Sequence, residues 1–380
     1  MANKWQVRLA VSAFFFLNGL CFASWASRIP AIQASLHLTE AALGAVLFCI
    51  PVGSLASLPF SGWLITRTGS RQVMIAASLL YIAALNGIGI APNAYALGAV
   101  LFCFGFIGNM GNISINTQAV GVEGLFGQTI MSSFHATWSM AGFAGALIGT
   151  LMASLRVPPA THFAYVGLAA LLIVLAAFRF TMRQERRYNN QQPVFVKPDK
   201  FLIRLGVIAF CCMICEGTMY EWSGVYFAKV VKADPGLVTV GYTAFTLATT
   251  SGRFVGDWLA RRYGIAGMLL ASGILTAAGL LLAVLFPMIS TSAAGFFLVG
   301  LGVSTVIPLV YSEAGKSTTM APGMALAAVS SVGFLGFLTG PPVIGFIAQA
   351  AGLRASFTLI AAIGLMITFL AKRKPAKDTL

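Results

Sequence analysis

Two carboxylates, Glu216 and Glu221, stand inside an otherwise apolar run from about 205 to 231. Such a run is long enough to cross a bilayer. A carboxylate that faces lipid costs roughly several kcal/mol, so both are expected to face protein or a wet cavity. There a carboxyl can take a proton from one side and release it to the other. The competing reading is a neutral or ion-paired structural acid. At 1.5 Å per residue Glu216 lies about 18 Å beyond Arg204, deep in the run, and Glu221 lies nearer its far end. Tyr220 follows Glu216 at i+4 on the same helical face. Tyr220 and Trp222 are candidates to touch a solute.

Other polar groups sit in apolar surroundings. Asn109, Asn112 and Asn116 are spaced i, i+3, i+7, which places three amides along one helix face. Amides in lipid need partners, so that face is expected to be interior. They and Asn18 either bind polar groups of a solute or tie helices together. His135 opens another apolar run and is a candidate proton relay, with a structural hydrogen bond as the alternative. His37 and His162 fall near loops and suggest no role.

The elements that must hold these residues follow from composition. The 380 residues are 58% hydrophobic and only 9% charged, against about a quarter charged in a soluble domain. Mean hydropathy is +0.87. Apolar runs of about 20 residues recur throughout, and the alternating segments of a β-barrel do not. An all-α membrane protein is therefore expected, with spans at about 8–30, 42–65, 72–91, 94–120, 131–154, 161–179, 205–228, 237–260, 266–286, 291–311, 322–350 and 353–371. The first run superficially resembles a signal peptide but is long enough to be retained as a helix. Prolines at 51, 59, 308, 341 and 342 are expected to bend their spans.

The net charge of +14 does not indicate nucleic acid, because the charges cluster in short loops. Lys4, Arg8, Arg67, Arg71, Arg183, Arg186, Arg187, Lys197, Lys200, Arg261, Arg262, Lys316 and the 372–374 tail fall on one side. Arg28, Arg156, Lys229, Lys232 and Arg354 fall on the other. The richer side is expected to be cytoplasmic, with both termini inside. The six cysteines lie in apolar runs and read as buried thiols, including the Cys212–Cys215 pair in C-x-x-C spacing. No metal-ligand cluster, nucleophile–base pair or nucleotide motif is present, so neither an enzyme nor a cofactor is expected.

The polar stretch 181–204 divides the chain into segments 1–180 and 205–380, each expected to form a six-helix bundle. The segments echo one another. Trp63, Arg67 and Gly69 return as Trp258, Arg262 and Gly264. Glu123 returns as Glu313, and Gly142, Gly145 and Gly149 return as Gly333, Gly336 and Gly340 with the same spacing. A duplicated six-helix unit, twelve spans in all, is the expected architecture. Arg253 and Asp257, at i and i+4 near Arg261, Arg262 and Glu313, read as a charge network at an inner gate. Arg28 and Glu221 both fall about 25–30 Å from the inner ends of their spans, which suggests a pair closing the outer side.

The chain resembles the YbjJ-like branch of the major facilitator superfamily, related to fucose permease. The resemblance covers nearly the whole length. It rests on Ala23-Ser24-Trp25-Ala26-Ser27-Arg28 with Pro30, Asn116 with Glu123, His135, Glu216-Gly217 with Glu221-Trp222, Gly252-Arg253, and Gly340-Pro341-Pro342 with Gly352-Leu353-Arg354. The 62–71 stretch also resembles the superfamily signature G-x-x-x-D-R-x-G-R, whose arginines here are Arg67 and Arg71. Its acidic position holds Thr66, which puts that first inner latch in doubt.

The resemblance implies a monomeric secondary transporter of a bacterial inner membrane working by alternating access. Kinship to fucose permease implies proton symport of a small polar, sugar-like solute, with the lipid bilayer as its other partner. The alternative is a proton-driven efflux antiporter for drugs or metabolites. Efflux members usually carry a proline in the glycine row of span 5, and none is present among Gly142, Gly145 and Gly149.

Overall fold

A computed structural model of the chain describes residues 3–126, 130–182, 199–314, 317 and 322–372. Most of the 181–204 stretch, Lys316 and the basic tail from 373 onward lie outside them. The elements are α1 (Lys4–Ser35), α2 (Glu40–Leu47), α3 (Cys49–Thr68), α4 (Ser70–Gly89), α5 (Ala94–Phe126), α6 (Met131–Ser154) and α7 (Pro159–Ala177). They continue as α8 (Lys200–Tyr226), α9 (Val240–Leu285), α10 (Ile289–Ser304), α11 (Val306–Ala314), α12 (Pro322–Ala351) and α13 (Leu353–Lys372). A 3-10 turn (Phe178–Phe180) follows α7 and a π-helical turn (Phe227–Val231) follows α8. No strand occurs among the described residues.

Local chemistry explains where the helices start and break. Asn3 and Gln6 form a capping box on α1, Thr39 caps α2, and the Asp199 carboxylate accepts the Leu202 N–H at 2.8 Å at the start of α8. Pro51 cannot donate to the Leu47 carbonyl, and α2 ends at Leu47. In the same way Pro308 cannot donate to the Ser304 carbonyl, and α10 ends there. By contrast, Pro341 and Pro342 lie inside one continuous α12.

The echoed motifs fold alike. Gly69 separates α3 from α4 at φ 87°, and Gly264 breaks α9 into 240–263 and 265–285 at φ 72°. That backbone region favours glycine. One turn earlier, Arg67 lies 4.8 Å over the Trp63 ring and Arg262 lies 5.7 Å over the Trp258 ring.

Contacts divide the chain into two compact units. One comprises Met1–Asn189 with Asp234–Thr239, and the other comprises Asn190–Ala233 with Val240–Leu380. In the first unit α1 is the central helix, and in the second α8 is, each with 67% of its most apolar window buried. The remaining helices keep apolar faces exposed. On α7, Tyr165, Leu168, Leu172 and Leu175 form an exposed stripe, whereas His162, Val166, Ala170 and Val174 face inward. A stripe of that size is a liability in water and a normal surface in lipid.

Eleven helices are long and apolar enough to cross a membrane among the described residues. The span expected at 237–260 corresponds to the first part of α9, which is not among the eleven; it carries Arg253, Asp257, Arg261 and Arg262 near its end.

The glycine rows are contact faces. Gly145 and Gly149 of α6 lie against Ala23 and Ser27 of α1, and Gly333 and Gly336 of α12 lie against Ala209 and Phe210 of α8. A Cβ at Gly336 would stand 2.5 Å from the Phe210 carbonyl oxygen, whereas a Cβ at Gly142 meets nothing within 4 Å. Gly336→Ala is therefore expected to destabilise the purified protein by about 1–3 kcal/mol. Gly142→Ala is expected to leave its melting temperature unchanged. Equal effects would show that the α8–α12 approach is not the constraint.

Candidate functional site

The site is built on α8. Glu216 lies mid-helix and is 7% exposed. Its Oε1 accepts a hydrogen bond from Arg253 Nη2 at 3.1 Å, which is also an ion pair. Tyr220 Oη lies 3.4 Å from the same oxygen, a longer and weaker donor. The i+4 spacing stacks Tyr220 over Glu216, and the Tyr220 ring packs edge-on against Phe245 at 5.3 Å and Tyr242 at 6.1 Å. Three elements of chemistry thus meet: a buried acid, a guanidinium one-third exposed at the side chain, and a phenol.

One member of the expected inner charge network, Arg253, has a partner beyond that network. Arg253 reaches Glu216 rather than serving only the i+4 position beside Asp257, whose side chain lies outside the described residues. A buried carboxylate draws the nearest long cation, because breaking such a pair is costly. Glu221 is 9% exposed, and its Oε2 has no hydrogen-bond partner among the described residues. Trp222 is wholly buried, with its indole nitrogen unpartnered, and so offers no surface to a solute. It lies about 120° around the helix from Glu216, on the packed side.

The expected amide stripe separates into two parts. Asn109 spends both amide protons on α3, donating to the Ser54 carbonyl at 3.0 Å and to Ser57 Oγ at 2.8 Å. It is a tie between α5 and α3. Asn116 instead donates to Asn112, at 2.8 Å to its carbonyl and 3.0 Å to its amide oxygen. Asn112 is exposed rather than interior, and Asn116 is half-buried. Exposed amides at this depth are compatible with a wet cavity and not with lipid. Asn18 is half-buried and faces Gly111 of α5. His135 is exposed, with its ring edge-on to Phe15 at 5.4 Å.

The expected gating residues have local partners. Arg71 donates to Thr181 Oγ1 at 2.9 Å and to the Phe178 carbonyl at 3.1 Å, closing the end of α7 against α4. Gln118 joins the same end, donating to Ser70 Oγ and accepting from the Met182 N–H. Glu123 accepts the Ile130 N–H at 2.7 Å and so bridges α5 to the start of α6. Arg67 is exposed over Trp63, and Glu313 is half-buried near the end of α11. Arg28 is buried and donates to the Val157 carbonyl. The sequence reading passed over His162, which is completely buried beside it. The signal was present in the 162, 166, 170, 174 spacing of the inward face of α7.

The model of the Major Facilitator Superfamily matches residues 11–321. The chain belongs to the Major Facilitator Superfamily. It is 31% identical over 353 residues to an uncharacterized MFS-type transporter of Yersinia pestis, covering 93% of this chain and 92% of that one. It is 30% identical over 358 residues to the membrane protein MosC of Rhizobium meliloti, covering 94% and 88%. The crystal structure of the nucleoside transporter NupG superposes with a TM-score of 0.77 at 14% identity, covering 97% of this chain and all of that one. A bacterial homolog of the human lysosomal transporter Spinster, inward-facing and unoccupied, superposes with a TM-score of 0.76 at 12% identity, covering 97% and 96%. At such identities these two structures establish the fold alone.

This member of the superfamily is thus a multi-pass membrane transporter and not an enzyme. The candidate site is the acid–arginine–tyrosine group of the second unit. Arg253→Met strands a buried carboxylate and is expected to cost about 2–3 kcal/mol, because Arg253 is partly solvated and the pair is less than fully buried. Glu216→Gln is expected to cost less, and Glu216→Gln with Arg253→Met is expected to recover part of the Arg253→Met loss. Denaturant unfolding in detergent measures all three. Simple additivity of the two single changes would show that the pair is not coupled.

Proposed function

We propose that the chain is a proton-coupled secondary active transporter that takes up a small polar, sugar-like solute by alternating access. The observation that carries this reading is the Glu216–Arg253–Tyr220 group, buried at mid-helix in a span-length apolar element. Acids retained at that depth usually serve ion or substrate handling.

The chemistry is a proton exchanged for a cation contact. Ionised Glu216 holds the Arg253 guanidinium. A proton added to the carboxyl removes the charge that draws Arg253 to Glu216, and the guanidinium can then exchange this contact for one to a polar solute. Loss of the proton restores the pair. Tyr220 is placed to follow this change, since its hydroxyl lies against the same carboxyl oxygen. In the first unit, the exposed Asn112 and the half-buried Asn116 supply amides that suit a hydroxyl-rich solute. Asn18 and His135 are the further candidates there, with His135 as a second proton carrier. Glu221 is a further candidate proton carrier in the second unit.

The finer architecture belongs to the same proposal. The first part of α9 is read as a twelfth span, made polar by the residues it supplies to Glu216 and to the inner end. The segments 1–180 and 205–380 are read as duplicated six-helix bundles joined by 181–204. The paired Trp–Arg–Gly breaks at Gly69 and Gly264 support that reading. Arg28, Arg67, Arg71, Glu123, Arg253, Asp257 and Glu313 are read as residues that set the two ends. The distribution of Lys and Arg supports a bacterial inner membrane with both termini cytoplasmic, and the protein is read as a monomer of the YbjJ-like branch.

The test is proton flux in proteoliposomes. Adding a panel of sugars and other polar metabolites to right-side-out vesicles is expected to draw protons inward with one solute class. Glu216→Gln is expected to abolish accumulation driven by a pH gradient while exchange of labelled for unlabelled solute persists. Wild-type accumulation by Glu216→Gln would refute the role of Glu216. Extrusion of lipophilic cations in exchange for protons would replace uptake by efflux.

A further inference from the structure

A second charged group is buried in the first unit, apart from the Glu216 group. Arg28, near the end of α1, is 4% exposed. One of its nitrogens, Nη2, donates to the Val157 carbonyl just before α7 begins. Its Nε and Nη1 are buried with no hydrogen-bond partner among the described residues. His162, in the first turn of α7, is 0% exposed, and neither Nδ1 nor Nε2 has a partner there. Its backbone N–H bonds Pro158, one residue from the carbonyl that Arg28 holds. Arg28 and His162 lie within electrostatic reach of each other. Ser27 of α1 and His162 both border Gly149 of α6, so three helices converge at this point.

Charge is what distinguishes this cluster from an ordinary buried hydrogen-bond group. The helices α1, α6 and α7 and the 155–158 connection contain no Asp or Glu at all. A buried guanidinium with no compensating charge on the elements that enclose it is costly to hold, and the acid of this unit nearest in packing is Asp234, at the start of the 234–239 segment that lies against the end of α6. One carbonyl oxygen satisfies a donor without neutralising the cation. A water molecule placed there would add hydrogen bonds but no charge. The start of α7 adds further positive potential at the same place. What these unpartnered donors lack is a negative charge with acceptor atoms.

We infer that Arg28 and His162 hold a small monoanion, a halide or a carboxylate group, where α6 passes into α7 in the first unit. The guanidinium supplies the charge and two donors. The imidazole supplies an N–H, which selects an acceptor on its partner. A charge-assisted hydrogen bond at a buried position is worth more than it would be at the surface. This site is separate from the Glu216 group, which belongs to the other unit.

The melting temperature of the full-length protein in detergent is measured against sodium chloride, sodium bromide and sodium formate, with ionic strength held by a bulky sulfonate. A ligand that binds the folded state raises apparent stability in a saturable way. A saturable rise is expected in the wild type. Arg28→Lys and His162→Phe are expected to shift its midpoint upward by roughly tenfold or more. Glu216→Gln is expected to keep it, which separates this site from the transport reading. A rise with the halides identifies a resident inorganic ion. A rise with formate alone identifies the carboxylate of a larger solute. No saturable rise with any of the three, or a rise unchanged in both variants, overturns the inference. If the variants fail to fold, bromide anomalous scattering from wild-type crystals decides the matter. A bromide peak within hydrogen-bond reach of Arg28 or His162 supports the site, and its absence in crystals whose melting behaviour responds to bromide overturns it.

Discussion

A charge costs far more in an apolar interior than in water, and much of this molecule is arranged around that cost. Glu216 cannot stand ionised in α8 without a cation, so Arg253 must lie on the helix packed against it. The consequence spreads along the chain. The part of α9 that supplies Arg253 is too polar to rank with the eleven apolar helices, although it is long enough to cross a membrane. The helix that makes the chemistry possible is thus the one whose composition departs most from a simple span. Tyr220 shares the same carboxyl oxygen, at 3.4 Å.

Polar groups elsewhere follow the same accounting of donors and acceptors. Asn109 is spent on a helix tie, and Arg71 and Gln118 are spent on closing the end of α7 against α4 and α5. Groups committed in this way rigidify the fold and are not available to a solute. Asn116 instead bonds to Asn112, which remains exposed. Arg28 is the opposite case to Arg253, a buried cation in helices that contain no acid. The two arginines show how differently one residue type is used when one set of helices carries acids and the other carries none.

Glycine and proline set the mechanical frame. Gly69 and Gly264 take the same left-handed backbone after the same Trp–Arg pair, so the echoed motif is an echoed structure. Glycines of α6 and α12 bring those helices against α1 and α8, the central helices of the two units. Both central helices also carry the buried charges, Arg28 on one and Glu216 on the other. The most rigidly packed elements therefore hold the groups whose placement matters most.

What the sequence by itself determined was whatever depends on a few neighbouring residues. Apolar runs marked the spans, and the prolines at 51 and 308, expected to bend their spans, lie one turn beyond the ends of α2 and α10. Glu216 and Tyr220 could be paired at i+4 for the same reason, because helix geometry is local. Tertiary structure decided which face of each helix meets which neighbour. It gave Arg253 to Glu216 across 37 residues of sequence, buried Trp222 away from any solute, used up Asn109, and set His162 beside Arg28. No local rule contains these outcomes. A rotation of one helix by a single residue, about 100°, would exchange every such partner while leaving hydropathy, caps and breaks unchanged.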